Sequence, residues 1–112
     1  MGGLETAMGA LWQDARPRVL ARIATIEEAG VALAAGDLNS ELAARAREEA
    51  HKLAGALGTF GLPGGSDHAR AVEQRLQGSI TAAHATELVE HARALRALVE
   101  SDPSPASVRP AG

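Results

Sequence analysis

Residues 40–61 of this 112-residue chain read SELAARAREEAHKLAGALGTFG, and their pattern of apolar and small residues predicts the fold. An α-helix turns about 100° per residue, so the number of each residue gives its place around the helix. Apolar side chains gather about 180–240° from His51; they are Leu42, Ala46, Leu53, Leu57 and Phe60. Because a helix buries its apolar stripe, the segment is predicted to be one helix of a bundle, with His51 facing water.

Two glycines lie beside His51 on its own face of this helix. Gly55 falls about 40° and Gly58 about 340° around the helix from the histidine. Positions without side chains leave the imidazole open to the close approach of another protein surface. Close packing of helices is the alternative use of small residues, but both glycines lie away from Leu53 and Leu57, which favours the surface role.

Composition favours packed helices and argues against several classes of function. Apolar residues make up 46% of the chain but aromatic residues only 2%, which is a poor supply for strands. A net charge of −3 argues against a nucleic-acid partner, because phosphate backbones bind basic faces. The chain has no cysteine, no basic and apolar leader and no apolar run of ~18–20 residues. We therefore expect a cytoplasmic protein with no disulfide, thiolate chemistry or membrane segment.

Glycine and proline positions predict where the first helices begin and end. A short helix is predicted over residues 4–15, with Leu4, Met8 and Leu11 or Trp12 on one side. Pro17 suits the first turn of a second helix that runs to about Ala35. One continuous helix kinked at Pro17 is the alternative. Gly36 is a natural stop, and residues 37–40 offer N-cap oxygens for the helix that carries His51.

The segment after His51 predicts two further helices. The helix that carries the histidine covers roughly residues 40–60 and ends at the break GLPGG over residues 61–65. Ser66 or Asp67 can cap the next helix, which continues to about Gln77. Thr81 can cap the last helix, which runs to about Ser101.

Short connections between long helices favour antiparallel neighbours. The predicted fold is therefore all-α, an up-down antiparallel four-helix bundle with a short additional N-terminal helix, over residues 1–101. Residues 102–112 are rich in proline, serine and alanine, and they are predicted to form a flexible tail or linker.

A motif of five residues begins at the exposed histidine and extends ten residues beyond it: His51, Leu53, Gly55, Gly58 and Gly61. The motif resembles the signature of histidine-containing phosphotransfer (HPt) domains of two-component phosphorelays. The resemblance is dense over residues 48–76. It implies that His51 accepts a phosphoryl group from the aspartyl phosphate of one response-regulator receiver domain and passes it to another. Receivers and a hybrid or sensor histidine kinase are the implied partners.

An HPt-like role agrees with what the residues themselves can do. Neutral imidazole is a nucleophile at ordinary pH. Phosphoryl transfer needs in-line approach and charge stabilisation, and the resemblance implies that the receiver supplies the metal and a lysine. We find no glycine-rich ATP loop and no acidic metal cluster, so we expect a phosphocarrier without its own kinase site, cofactor or metal.

The resemblance also suggests which residues support the histidine. In chemotaxis-type relatives a glutamate on the following helix fixes the imidazole tautomer, and Glu73 stands at the matching place; the alternative is that Glu73 only solvates its helix. Most family members have a lysine three residues after the histidine, where this chain has Ala54. Lys52 and Arg47 are the candidates to supply that positive charge.

The predicted docking surface for the receiver comprises Glu48, Ala54, Gly55 and Gly58. Because Ala54 replaces the usual lysine, a bundle that docks receivers or dimerises without passing phosphate is a competing hypothesis.

Three further features have alternative interpretations. His84, Glu87 and His91 could bind a metal, although zinc sites on a helix favour histidines four residues apart rather than seven. His68 is predicted to be a surface residue. Trp12 is predicted to cover one end of the bundle, with a docking patch as the alternative.

Overall fold

The computed structural model describes residues 3–101, which form four α-helices and one short 3₁₀ turn. In chain order these are α1 (Gly3–Ala34), α2 (Ser40–Thr59), α3 (Pro63–Gln77), the 3₁₀ turn (Ala82–His84) and α4 (Ala85–Ser101). The all-α prediction is confirmed. The predicted tail over residues 102–112 lies outside the described residues.

Contacts between side chains show that neighbouring helices run antiparallel. Arg22 on α1 pairs with Glu49 on α2, and Glu28 pairs with Arg45, so residue numbers rise along one helix as they fall along the other. The other neighbouring helices show the same opposed numbering. Between α2 and α3 the contacts are His51–Glu73 and Ala54–Ser66, and between α3 and α4 they are His68–His91 and Arg75–Glu87. Between α1 and α4 they are Gly30–Val89 and Glu27–Arg96. The predicted up-down bundle is therefore confirmed.

Helix α1 passes through Pro17 without a break. The separate helices predicted over residues 4–15 and from Pro17 onward are therefore wrong, and the continuous alternative holds. The reason is that a single stripe of buried side chains extends along α1 on both sides of Pro17. Its members are three, four or seven residues apart, namely Trp12, Val19, Ile23, Ile26 and Leu33. Losing a buried tryptophan costs about 3–5 kcal/mol, at least as much as the ~3 kcal/mol of an interior proline.

Trp12 belongs to the core and not to a docking patch. Its side chain is fully buried, and its ring meets Phe60 edge-on with centroids 5.2 Å apart. The predicted role of Trp12 in covering one end of the bundle agrees with this contact between α1 and the end of α2.

Two glycines end helices in the way the sequence predicts for Gly36. Gly36 and Gly61 have φ values of 76° and 75°, a left-handed conformation that side chains disfavour. The residue after each glycine donates its N–H to the carbonyl five residues back, at 2.7 Å after Gly36 and 2.8 Å after Gly61.

At the start of α2, the Asn39 side chain accepts a 2.7 Å hydrogen bond from the N–H of Leu42, as predicted for residues 37–40.

The predicted caps of α3 are wrong. The helix begins at Pro63, three residues before Ser66, and its N-cap residue Leu62 makes no side-chain hydrogen bond. A proline in the first turn has no N–H that would need a partner there. Ser66 is instead buried, and its hydroxyl donates to the carbonyl of Ala54 at 3.0 Å.

Thr81 precedes the 3₁₀ turn rather than capping α4 directly. Its N–H donates to Nδ1 of His84 at 3.1 Å, and this contact closes the turn from which α4 continues. None of the described helices is both long enough and apolar enough to cross a membrane.

Gly30 allows α1 and α4 to approach closely. A Cβ added at Gly30 would lie 2.9 Å from Cγ2 of Val89 and 3.6 Å from its backbone nitrogen. Valine has a stiff χ1 angle, so this methyl group cannot swing aside without strain.

We predict that Gly30→Ala lowers the free energy of unfolding by on the order of 1 kcal/mol, because the clash outweighs the gain in helix propensity. Denaturant unfolding followed by Trp12 fluorescence measures the change. Gly55→Ala on α2 is the matched control, because nothing lies within 4 Å of a Cβ there, and it should stabilise the helix by up to about 1 kcal/mol. A Gly30→Ala variant as stable as the wild type would contradict the packing argument.

A pair of histidines joins α3 to α4. Nδ1 of His68 lies 2.9 Å from Nδ1 of His91, so one neutral ring donates and the other accepts. His68 is therefore half-buried in a helix contact rather than a simple surface residue. Burial, together with the charge of His68, lowers the pKa of His91 below the ordinary 6.5, against the opposing pull of Glu87 and Glu90.

A histidine with a lowered native pKa takes up its proton more readily when unfolded. Its pKa in the unfolded chain is the ordinary 6.5, and above that pH neutral His91 costs the native state nothing. As the pH falls from 6.5 toward the lower native pKa, the unfolded state takes up the proton first and the free energy of unfolding decreases. We predict that the wild type loses stability as the pH falls below 6.5, while the carboxylates, with ordinary pKa values of about 4, are still charged. Denaturant unfolding at a series of pH values should show a flatter profile for His91→Gln, and equal slopes would contradict this role.

Candidate functional site

His51 lies in the middle of α2 and faces solvent. Its side chain is 73% exposed, while Leu53 and Leu57, on the other side of the same helix, are fully buried. The predicted orientation of the histidine, away from the core, is confirmed. An imidazole placed in this way can reach a group on another protein without any movement of the bundle.

Glu73 on α3 contacts the imidazole of His51. Its Oε2 lies 2.9 Å from Nδ1, and its side chain is only 20% exposed. A carboxylate only accepts hydrogen bonds, so Nδ1 carries the proton and donates it. The lone pair of the ring is then on Nε2, the nitrogen farther from Glu73. This contact is the one that the orienting interpretation of Glu73 requires, and the role of Glu73 stays a prediction.

The pairing of α2 with α3 brings these two side chains together. The turn at Gly61 reverses the chain, and the buried Ser66 hydroxyl then joins α3 to the Ala54 carbonyl of α2. From that contact, α3 runs back along α2, so that Glu73 arrives beside His51, 22 residues away in sequence.

The two glycines beside His51 are not required by packing within the bundle. A Cβ at Gly55 would meet nothing within 4 Å, and at Gly58 it would lie 3.8 Å from the Ser66 hydroxyl oxygen, an ordinary contact. Gly65 on α3 differs, because a Cβ there would come within 2.8 Å of Leu98. Both Gly55 and Gly58 are exposed, and together they leave a bare strip beside the imidazole.

Ala54 does not belong to the exposed part of the predicted docking surface. The residue is only 6% exposed, and its carbonyl accepts the hydrogen bond from Ser66 on α3. Glu48, Gly55 and Gly58 are exposed as expected. Ala54 therefore contributes to the floor of the site rather than to a surface that a partner would touch.

The two cations suggested by the sequence lie outside the cleft at the histidine. Nζ of Lys52 is 3.5 Å from Oε1 of Glu48, and both side chains are well exposed. Arg47 is exposed and makes no ion pair within the part of the chain that the structure describes. Neither residue lines the cleft between α2 and α3.

A shallow cleft of about 360 Å³ separates α2 from α3 at His51. It is lined by His51, Ala54, Gly55, Arg70, Glu73, Gln74 and Gln77. Three of these residues were not predicted from the sequence, namely Arg70, Gln74 and Gln77. Helical spacing could have identified two of them, since Arg70 stands three residues before Glu73 and Gln77 four residues after it.

The three residues considered as metal ligands have separate partners. His84 accepts from the N–H of Thr81, and His91 pairs with His68. The Arg75 guanidinium, hydrogen-bonded to Glu87 at 3.1 Å, lowers the pKa of that carboxyl below its ordinary value. Across residues 3–101 no group of three potential metal ligands is brought together.

Comparison with known proteins identifies the family. No curated protein and no solved structure matched the chain. The family model of the Hpt domain matches residues 10–109, a span that contains His51, Glu73 and the whole α2–α3 pair. The match covers most of the chain and agrees with the helical bundle and its exposed histidine. The chain therefore belongs to the Hpt domain family.

Proposed function

We propose that this domain is a phosphocarrier and that His51 is its phosphoacceptor. It takes a phosphoryl group from the aspartyl phosphate of one receiver domain and passes it to the receiver of another response regulator. The observation that carries the proposal is the exposed imidazole whose Nδ1 lies 2.9 Å from a carboxylate, within an Hpt domain. A hybrid or sensor histidine kinase would supply the phosphoryl group upstream, in the cytoplasm.

The transfer step follows from the tautomer. The Nε2 lone pair attacks phosphorus, a P–N bond forms, and the P–O bond to the aspartate breaks with its electron pair returning to the carboxylate. Nδ1 keeps its proton, so the ring gains a positive charge that faces the Glu73 carboxylate. In the reverse step a receiver carboxylate attacks phosphorus, and the P–N electron pair returns to Nε2. Glu73 therefore both orients the ring and stabilises the charge that develops on it.

The receiver would dock over Glu48, Gly55 and Gly58, beside His51. Gly55 and Gly58 have no side chain between the backbone and a partner, so the receiver's active site can come close to Nε2. In-line transfer needs that approach, because the reacting atoms must come within about 3–3.5 Å. Lys52 and Arg47 lie at the margin of this surface, where they would meet acidic groups of the partner.

We predict that His51→Gln abolishes phosphorylation. A panel of purified receiver domains, phosphorylated with radiolabelled acetyl phosphate, should include a donor that transfers acid-labile phosphate to the wild type. His84→Gln is the control, because it removes another histidine while leaving the site intact. If a receiver binds the wild type tightly and passes no label to it, the domain docks without phosphotransfer, and the proposal is wrong.

We predict that Glu73→Ala slows phosphorylation of His51 by about ten- to a hundredfold, the value of a charge-assisted hydrogen bond of about 1.5–3 kcal/mol. Glu73→Gln retains an acceptor oxygen without the charge, so its rate should fall between those of the wild type and Glu73→Ala. Single-turnover transfer from the same receiver gives the rates, with Glu90→Ala on α4 as control. Equal rates for wild type and Glu73→Ala would show that Glu73 only solvates α3.

A further inference from the structure

We propose that Arg70 on α3 binds the phosphoryl group carried by His51, an inference that rests on the phosphocarrier function proposed above. The positive charge would thus come from the helix opposite the histidine, and not from Lys52 or Arg47 on α2. The Arg70 guanidinium would bind the phosphoryl dianion at the cleft between the two helices.

The negative charges at the cleft would be stabilised by a nearby cation. Glu73 already places a carboxylate 2.9 Å from His51, and a phosphoryl group on Nε2 would add further negative charge nearby. Arg70 is the basic residue among those that line this cleft, together with two neutral glutamines. Five N–H donors in a planar fork allow a guanidinium to bind two phosphoryl oxygens at once.

Arg70 lines the same cleft as the imidazole and is available to bind. It stands one turn before Glu73, and side chains three residues apart on a helix have Cβ atoms about 5–6 Å apart. Its side chain is 60% exposed, and its ion pair with Asp67 is 3.8 Å long, with Asp67 80% exposed. An exposed pair of that length contributes little, so the guanidinium can turn toward a phosphoryl group at small cost.

Ala54 leaves space for this arrangement. It lines the same cleft from the α2 side, and its methyl group fills little of the volume between the helices. A long side chain at this position, which is only 6% exposed, would compete with the Arg70 guanidinium for the same cleft. The small residue at position 54 therefore leaves the cleft open to the Arg70 side chain.

No bond is made or broken at Arg70. Its N–H groups donate to the phosphoryl oxygens, and it keeps its proton throughout the transfer. The contact stabilises phosphohistidine relative to the receiver's aspartyl phosphate, so its loss moves the transfer equilibrium toward the receiver. The contact also favours the dianion, so its loss raises the pH at which the phosphoryl group takes up a proton.

The test uses the whole domain and the labelled receiver that phosphorylates the wild type. In Arg70→Ala, His51 should still accept phosphate, but the equilibrium ratio of phosphohistidine to aspartyl phosphate should fall roughly tenfold. A ³¹P NMR titration of the phosphorylated domain should show a higher midpoint pH than in the wild type. Arg70→Lys should restore part of both effects.

Arg93→Ala is the matched control, because it removes an exposed arginine from α4 and should change neither measurement. Unfolding followed by Trp12 fluorescence verifies that each variant is folded. If Arg70→Ala matches the wild type in both the equilibrium and the titration, the inference is wrong. A changed transfer equilibrium in Lys52→Ala or Arg47→Ala would then assign the positive charge to α2. A wild type that accepts label from no receiver would overturn the phosphocarrier function itself, which is a different result.

Discussion

The register of α3 against α2 is the constraint on which the site depends. Gly61 reverses the chain in a left-handed conformation, and the Ser66 hydroxyl then joins the start of α3 to the Ala54 carbonyl. Antiparallel packing from that contact places Glu73 beside His51. A shift of one residue along α3 would turn the carboxylate by about 100° and remove it from the imidazole.

The bundle provides a rigid support on which a single reactive group is exposed. Its core is apolar, with Trp12 and Phe60 closing one end, and ion pairs such as Arg22–Glu49 join helices at its margin. In the proposed mechanism the domain contributes a nucleophile, its orientation and one cation. The receiver would contribute the remaining charge stabilisation, and the two bare glycines on α2 beside the histidine would allow its close approach.

Much of the architecture could be predicted from local patterns. The apolar stripe of α2 correctly predicted that His51 faces water, and Gly36 and Asn39 act at helix ends as expected. Predictions failed where tertiary contacts outweigh local signals. Pro17 suggests a helix start, yet burial of Trp12 favours one helix through it. Ser66 has the chemistry of a cap, but it is used in a buried contact between helices.

The exposed histidine and the glycines beside it could be predicted from the sequence, because their positions follow from the periodicity of one helix, and the helical class followed from composition. The residues that surround the imidazole could not be predicted, because they depend on how two helices pack. Arg70 and Glu73 share a helical face in the sequence, but nothing within α3 indicates which residue of α2 they meet. Ala54, predicted as part of the docking surface beside His51, is buried in the bundle. Helical periodicity gives angles about one axis, whereas a site between two helices also depends on their relative rotation and register.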